Sequence, residues 1–166
     1  MLLIVHFDTD VSRGAFIGER LGTDMRVVIS DGGRADAGFR GKTGDCVCRA
    51  IAIATRRDYQ DIYAALNELA LSERPSKRKR GRSSARTGVH RGTIHRYMTS
   101  IGWKWVPTMQ VGSGCRVHLR KNELPGGRLI VSLSRHLTAV IDGVIHDNHD
   151  PQRDGTRCVY GYWCEA

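Results

Sequence analysis

The chain has 166 residues, enough for one domain around one buried core. Hydrophobic residues make up 40% and aromatics 7%, a globular composition without a run of about 18 apolar residues, so a membrane-spanning helix is not expected. A formal charge of +9 excludes an acidic solvating chain and raises the question of an anionic partner.

In chain order, "MLLIVHF" reads as a strand, and the early His6 and Asp8 argue against a secretion signal. "DMRVVISDGG" reads as a second strand, broken by Asp31, Gly32 and Gly33. From Cys46 to about Thr55, Val47, Ala50, Ile51 and Ala54 recur at helical spacing and define a buried stripe. A second helix is expected over Asp58 to Ala70, with Asp58 as N-cap and Ile62, Ala65, Leu66 and Leu69 inward. Thr93 to Ser100 reads as a third helix ended by Gly102. The remainder alternates as strands: "WKWVPTM", "CRVHL", "GRLIVSLS", "LTAVIDGVIHD" and "RCVYGYW". Helices followed by an antiparallel sheet predict the α+β class, in a single domain over 1–166.

Between Glu73 and Arg96 lie nine Arg and Lys residues among Pro, Gly and Ser. That composition predicts a mobile basic loop at about 73–92. It reads either as a solvated linker or as an electrostatic arm for nucleic acid or another acidic partner. No aromatic is interleaved with the charges, so the segment offers no base-stacking platform.

Five cysteines, an odd number, argue for free thiols in a reducing compartment, the cytoplasm, over a disulfide framework. In "GKTGDCVCRAIAIAT", Cys46 falls at the helix start, where the positive end of the dipole and unpaired backbone N–H groups favour thiolate. Cys48 lies about 200° further round the helix, beside the apolar stripe, and reads as packing. Neither this Cys-x-Cys nor the spacing of Cys115, Cys158 and Cys164 matches a common zinc pattern, and the spacing is equally wrong for a redox pair. No metal or cofactor is called for.

A nucleophilic thiolate needs a base, and the base needs a group that fixes its tautomer. "SRHLTAVIDGVIHDNHD" supplies both. Asp142-Gly143 is a two-residue hairpin turn that pairs Ile141 with Val144, Val140 with Ile145 and Ala139 with His146. Continued, it pairs Thr138 with Asp147 and His136 with His149, so that Asp147 becomes the diagonal neighbour of His136. Asn148 and His146 would face away, and His146 and His149 read as surface residues.

A Cys at a helix start, a His opening a strand and an Asp on the next strand resemble the papain-like cysteine peptidases, most closely the compact double-glycine leader peptidases. "GDCVCRAIAIAT", "SRHLTAVIDGVIHD" and "RCVYGYW" are also similar to small papain-like proteins of tailed bacteriophages. The resemblance spans roughly Lys42 to Trp163, with its specific part in two short segments. It implies a papain-like fold in which a Cys-bearing helix packs on an antiparallel sheet carrying His and Asp. It also implies Cys46 as nucleophile, His136 as general base and acid, and Asp147 as orienter. Family members place a Gln about six residues before the nucleophile to complete the oxyanion hole, and here that position is Arg40. Arg40, Lys42 and Asp45 are therefore the candidate oxyanion or substrate contacts.

The expected activity is hydrolysis of a peptide or amide bond, in a host or phage protein if the chain is phage-encoded and acts in the host cytoplasm. Deamidase and transferase chemistry share the same acyl-enzyme. The rival reading is an altered papain-like scaffold that binds nucleic acid or a host protein through its basic surface.

Overall fold

The computed structural model describes residues 24–74 and 81–166, so the "MLLIVHF" strand lies outside the described residues. Three helices and a six-stranded mixed sheet make an α+β architecture. The first strand, β1 (Val27–Ile29), is followed by a turn in which the Asp31 carboxylate accepts from the N–H groups of Gly33 and Ala35. The helices α1 (Cys46–Thr55), α2 (Tyr59–Leu71) and α3 (Arg91–Ser100) come next. The strands β2 (Trp103–Pro107), β3 (Arg128–Leu133), β4 (His136–Ile141), β5 (Val144–Asp147) and β6 (Gly161–Glu165) complete the order β1-β5-β4-β3-β6-β2. No helix among the described residues is long and apolar enough to cross a membrane.

The helices follow the sequence closely. In α1 the stripe of Val47, Ala50, Ile51 and Ala54 is buried, and Asp58 caps α2 by accepting from the N–H groups of Gln60 and Asp61. Along α2, Ile62 and Leu66 are fully enclosed while Ala65 and Leu69 pack partly buried against the same core. The third helix begins at Arg91, two residues before the expected Thr93.

Strand β3 reads as a nearly continuous apolar run because both its faces are covered. Ile130 points to the helices, whereas Leu129, Val131 and Leu133 join Leu119, Val140 and Val159 in a second core on the far side. Burying each such aliphatic side chain contributes about 1.5–3 kcal/mol.

The hairpin register is as predicted from Ile141↔Val144 to Ala139↔His146, and Asp142 (φ 47) and Gly143 (φ 77) take the left-handed conformations such a turn requires. Pairing then stops. Asp147 pairs instead with Ile29, because β1 lies parallel to β5 and claims its outer edge. The sheet is therefore mixed, where antiparallel strands alone were expected.

Three further expectations need correction. Residues 115–119 form no strand, only an isolated bridge between His118 and Cys158, and of the "RCVYGYW" segment only Gly161 onward enters β6. The same contact overturns the expectation of five free thiols. Leu119 N–H donates to Arg157 O and Val159 N–H to Val117 O, which sets the two segments side by side and joins Cys115 to Cys158 in a disulfide. Cys46, Cys48 and Cys164 remain free.

The segment expected as a mobile loop at about 73–92 is tied down where it is described. Glu73, almost fully enclosed, accepts from Ser83 N–H (2.8 Å) and from the hydroxyls of Ser83 and Thr93, and meets His90 Nδ1 at 3.0 Å. Ala85 is buried, its N–H donating to Asn67 Oδ1. Residues 75–80 lie outside the described residues.

Candidate active site

Cys46 is the first residue of α1, and the way the chain enters that helix exposes its thiol to the helix mouth. Arg34 holds the approach, donating to the carbonyls of Phe39, Arg40 and Gly41. Asp45 occupies the N-cap position but does not cap. Its buried carboxylate turns inward to Arg34 Nε (2.9 Å), Arg49 (3.4 Å) and the Tyr59 hydroxyl. No acidic residue lies in the first turn, so no side-chain charge there opposes the positive end of the dipole.

The turn over Ser84–Gly88 comes against this helix mouth. Gly44 N–H and the Thr43 hydroxyl both donate to Arg86 O. A Cβ at Gly44 would sit 3.1 Å from Thr87 O, so glycine is what allows the approach.

His136 opens β4 and Asp147 closes β5, which brings them together although Thr138 and Asp147 do not pair. His136 Nε2 donates to Asp147 Oδ2 at 2.6 Å. Nδ1 is then the ring nitrogen left for Cys46. Burial opposes the thiolate, but hydrogen bonding from His136 and from Leu137 N–H, with the charges of His136 and Arg49, holds the Cys46 thiol below its ordinary value. Burial likewise works against a charged His136, yet the bonds and charges of Asp147 and Cys46 raise it to about 9. Asp147 is held below the usual carboxylate range, because its bond to His136 and the Asn148 N–H outweigh its burial. Both shifts favour the thiolate–imidazolium form of the pair over the neutral one.

Cys46 and His136 line one cleft of about 580 Å³ with Val47, Thr87, Gly88, Val89 and Asn148 among its walls. A second cleft, of about 560 Å³, runs along 32–37 and 56–60 and contains no thiol and no imidazole. Cys46 and His136 thus face the first cleft.

Cys48 is fully buried, its thiol near Ala85 O, and burial pushes it up to about 12, with the Asp45 charge adding to the effect. Arg40 and Lys42 are exposed and do not line the cleft, and Asp45 faces the interior. Of the six candidate site residues, Cys46, His136 and Asp147 come together and the other three do not join them.

Three further residues belong to the site: Arg49, which the sequence reading does not single out, and Asn148 and His149, which it leaves outside it. Asn148, expected to face away, lines the cleft because strand alternation ends at Asp147. With its amide oriented to satisfy both ends, it accepts from Arg49 (2.7 Å) and donates to Asp147 Oδ1 (2.9 Å) and His149 Nδ1 (2.8 Å). Arg49 is one helical turn beyond Cys46, a spacing that marks a shared face. His149, read as a surface residue, is exposed but packs its ring 5.0 Å from that of His136. His136, Asp147 and His149 also bring ligand atoms within 4.8 Å of one another, a geometry that could accept a metal ion, though the first two are already paired.

No family model, curated protein or solved structure matches the chain.

Proposed function

We propose that the chain is a cysteine hydrolase of papain-like type that cleaves a peptide or amide bond. The observation that supports this most is the His136–Asp147 bond at 2.6 Å beside a half-buried Cys46 at a helix start, with Cys46 and His136 on one cleft. In this reading the Cys46 thiolate attacks the carbonyl carbon and the carbonyl electrons move to oxygen. Because Gly44 N–H is bound to Arg86 O, the first-turn N–H groups of α1 receive the oxyanion. His136 gives its proton to the leaving amine as the C–N bond breaks and the thioester forms. It then takes a proton from water, which attacks the thioester and releases the acid and the thiolate. Asp147 holds the imidazole in place throughout, and Asn148, itself held by Arg49, holds Asp147.

Replacing Cys46 by Ala should remove the fast-labelling site for iodoacetamide in the native protein while the fold is retained, leaving at most slow labelling at the half-buried Cys164. Equal labelling of that variant, or labelling at Cys48, contradicts the assignment.

The charge of +9 favours a second reading, a basic nucleic-acid- or protein-binding factor on the same scaffold. Salt-dependent nucleic-acid binding that survives Cys46→Ala, together with absence of any covalent Cys46 adduct, would support it.

A further inference from the structure

We propose that the Cys46 cleft selects substrates that carry a carboxylate side chain close to the scissile bond, recognised by Arg91 and Arg135. This rests on the hydrolase reading and names its substrate class. The charged side chains on the cleft wall are Arg49, Arg91 and Arg135, with the imidazoles of His136 and His149, and no Asp or Glu lines it. Arg49 is consumed by Asp45 and Asn148.

The other two arginines have no anionic partner among the described residues. Arg91, first residue of α3, has its guanidinium 5.0 Å from the centre of the Trp105 ring, a cation–π contact that spends none of its N–H donors. Arg135 sits at φ 57 in the two-residue turn that joins Leu133 to its partner His136, so its backbone is fixed immediately before the base. Among the described residues neither makes an ion pair. Two like charges beside the apolar Val47, Val89 and Leu133 focus a positive field into the cleft, and a carboxylate with its two oxygens matches a guanidinium edge. A peptide fits better than nucleic acid, since the indole on the cleft wall, Trp163, is buried and offers no face on which a base could stack.

The test uses tripeptide vinyl sulfones made in pairs, with Glu or Gln at each of the three positions in turn, at low salt. At one position or more, the Glu probe should label Cys46 about tenfold faster than its Gln partner. In the double variant Arg91→Gln, Arg135→Asn that ratio should fall to near one. Asn tolerates the left-handed conformation at position 135, and taking the ratio within one variant cancels any loss of folded protein. Arg91→Lys, which keeps the charge but loses the two-pronged edge, should lower the ratio without abolishing it. No Glu preference at any position, or a preference that persists in the double variant, overturns the proposal. If iodoacetamide fails to select Cys46 in the unaltered protein, the hydrolase reading falls first and the substrate preference with it.

Discussion

Asp147 grips His136 through a single 2.6 Å bond, although the two residues lie just beyond the point where β4 and β5 cease to pair. The position of Asp147 is fixed from the other side, by pairing of Ile29 with Asp147 and by Ser30 N–H, which donates to Asp147 O. The parallel strand β1 thus holds the acid, the hairpin turn holds the base, and α1 presents the thiol.

Asp147→Asn removes the charge that raises His136 while keeping the shape. Labelling or turnover at Cys46 should fall by about 10²-fold or more. The alkaline limb should also move down from about 9 towards the ordinary imidazole range. An unchanged limb in pH-dependent alkylation would show that Asp147 does not set the base.

Asn148 acts through Asp147 and Arg49 holds Asn148, so both are positioning residues, and the Arg49 charge also favours the Cys46 thiolate. Asn148→Ala should lower the Cys46 alkylation rate several-fold and shift its pH profile, while changing the thermal midpoint little, since the side chain is exposed. A thermal shift without a change in pH profile would assign Asn148 a structural role only.

Glu73 ties the cleft wall to the end of α2 through Ser83, Thr93 and His90. Its burial is outweighed by these bonds, which hold its carboxyl down to about 2. A depressed carboxylate contributes stability above its unfolded value, and that contribution is lost as pH falls through about 2. Glu73→Gln should destabilise the protein by about 1–2 kcal/mol at neutral pH, measured by urea unfolding, with the difference from the parent shrinking in acid. A difference that stays constant down to about pH 2 would count against the anchor.

Denatured but unreduced protein should titrate three thiols and reduced protein five, with mass mapping to a Cys115–Cys158 peptide pair. Five thiols without reductant would mean that the pair does not form.

Much of this was legible in the sequence, for local reasons. The helical stripe from Val47 to Ala54, the Asp58 cap and the Asp142-Gly143 turn are written in spacings of a few residues, and the turn alone sets the register as far as Ala139 and His146. What depends on distant pairing was not legible. Neither β1 beside β5 nor the approach of Cys158 to Cys115, 43 residues away, leaves a local pattern. The basic segment looked unanchored because its anchor, Glu73, reaches its partners only after α2 and α3 pack. The exposed Arg40 shows the limit of reading by resemblance, since the matching position does not line the cleft.

The most direct test of the Cys46–His136 pair is the rate of Cys46 alkylation by iodoacetamide as a function of pH, read by mass spectrometry. Alkylation should be rapid at neutral pH, with a rate that falls in acid as the thiolate is protonated and changes near pH 9 as His136 loses its proton. In His136→Ala the neutral reactivity should vanish and the profile should rise only near the ordinary thiol value. A wild-type profile that is flat below about pH 8 and rises as a free thiol does would contradict the Cys46–His136 pair.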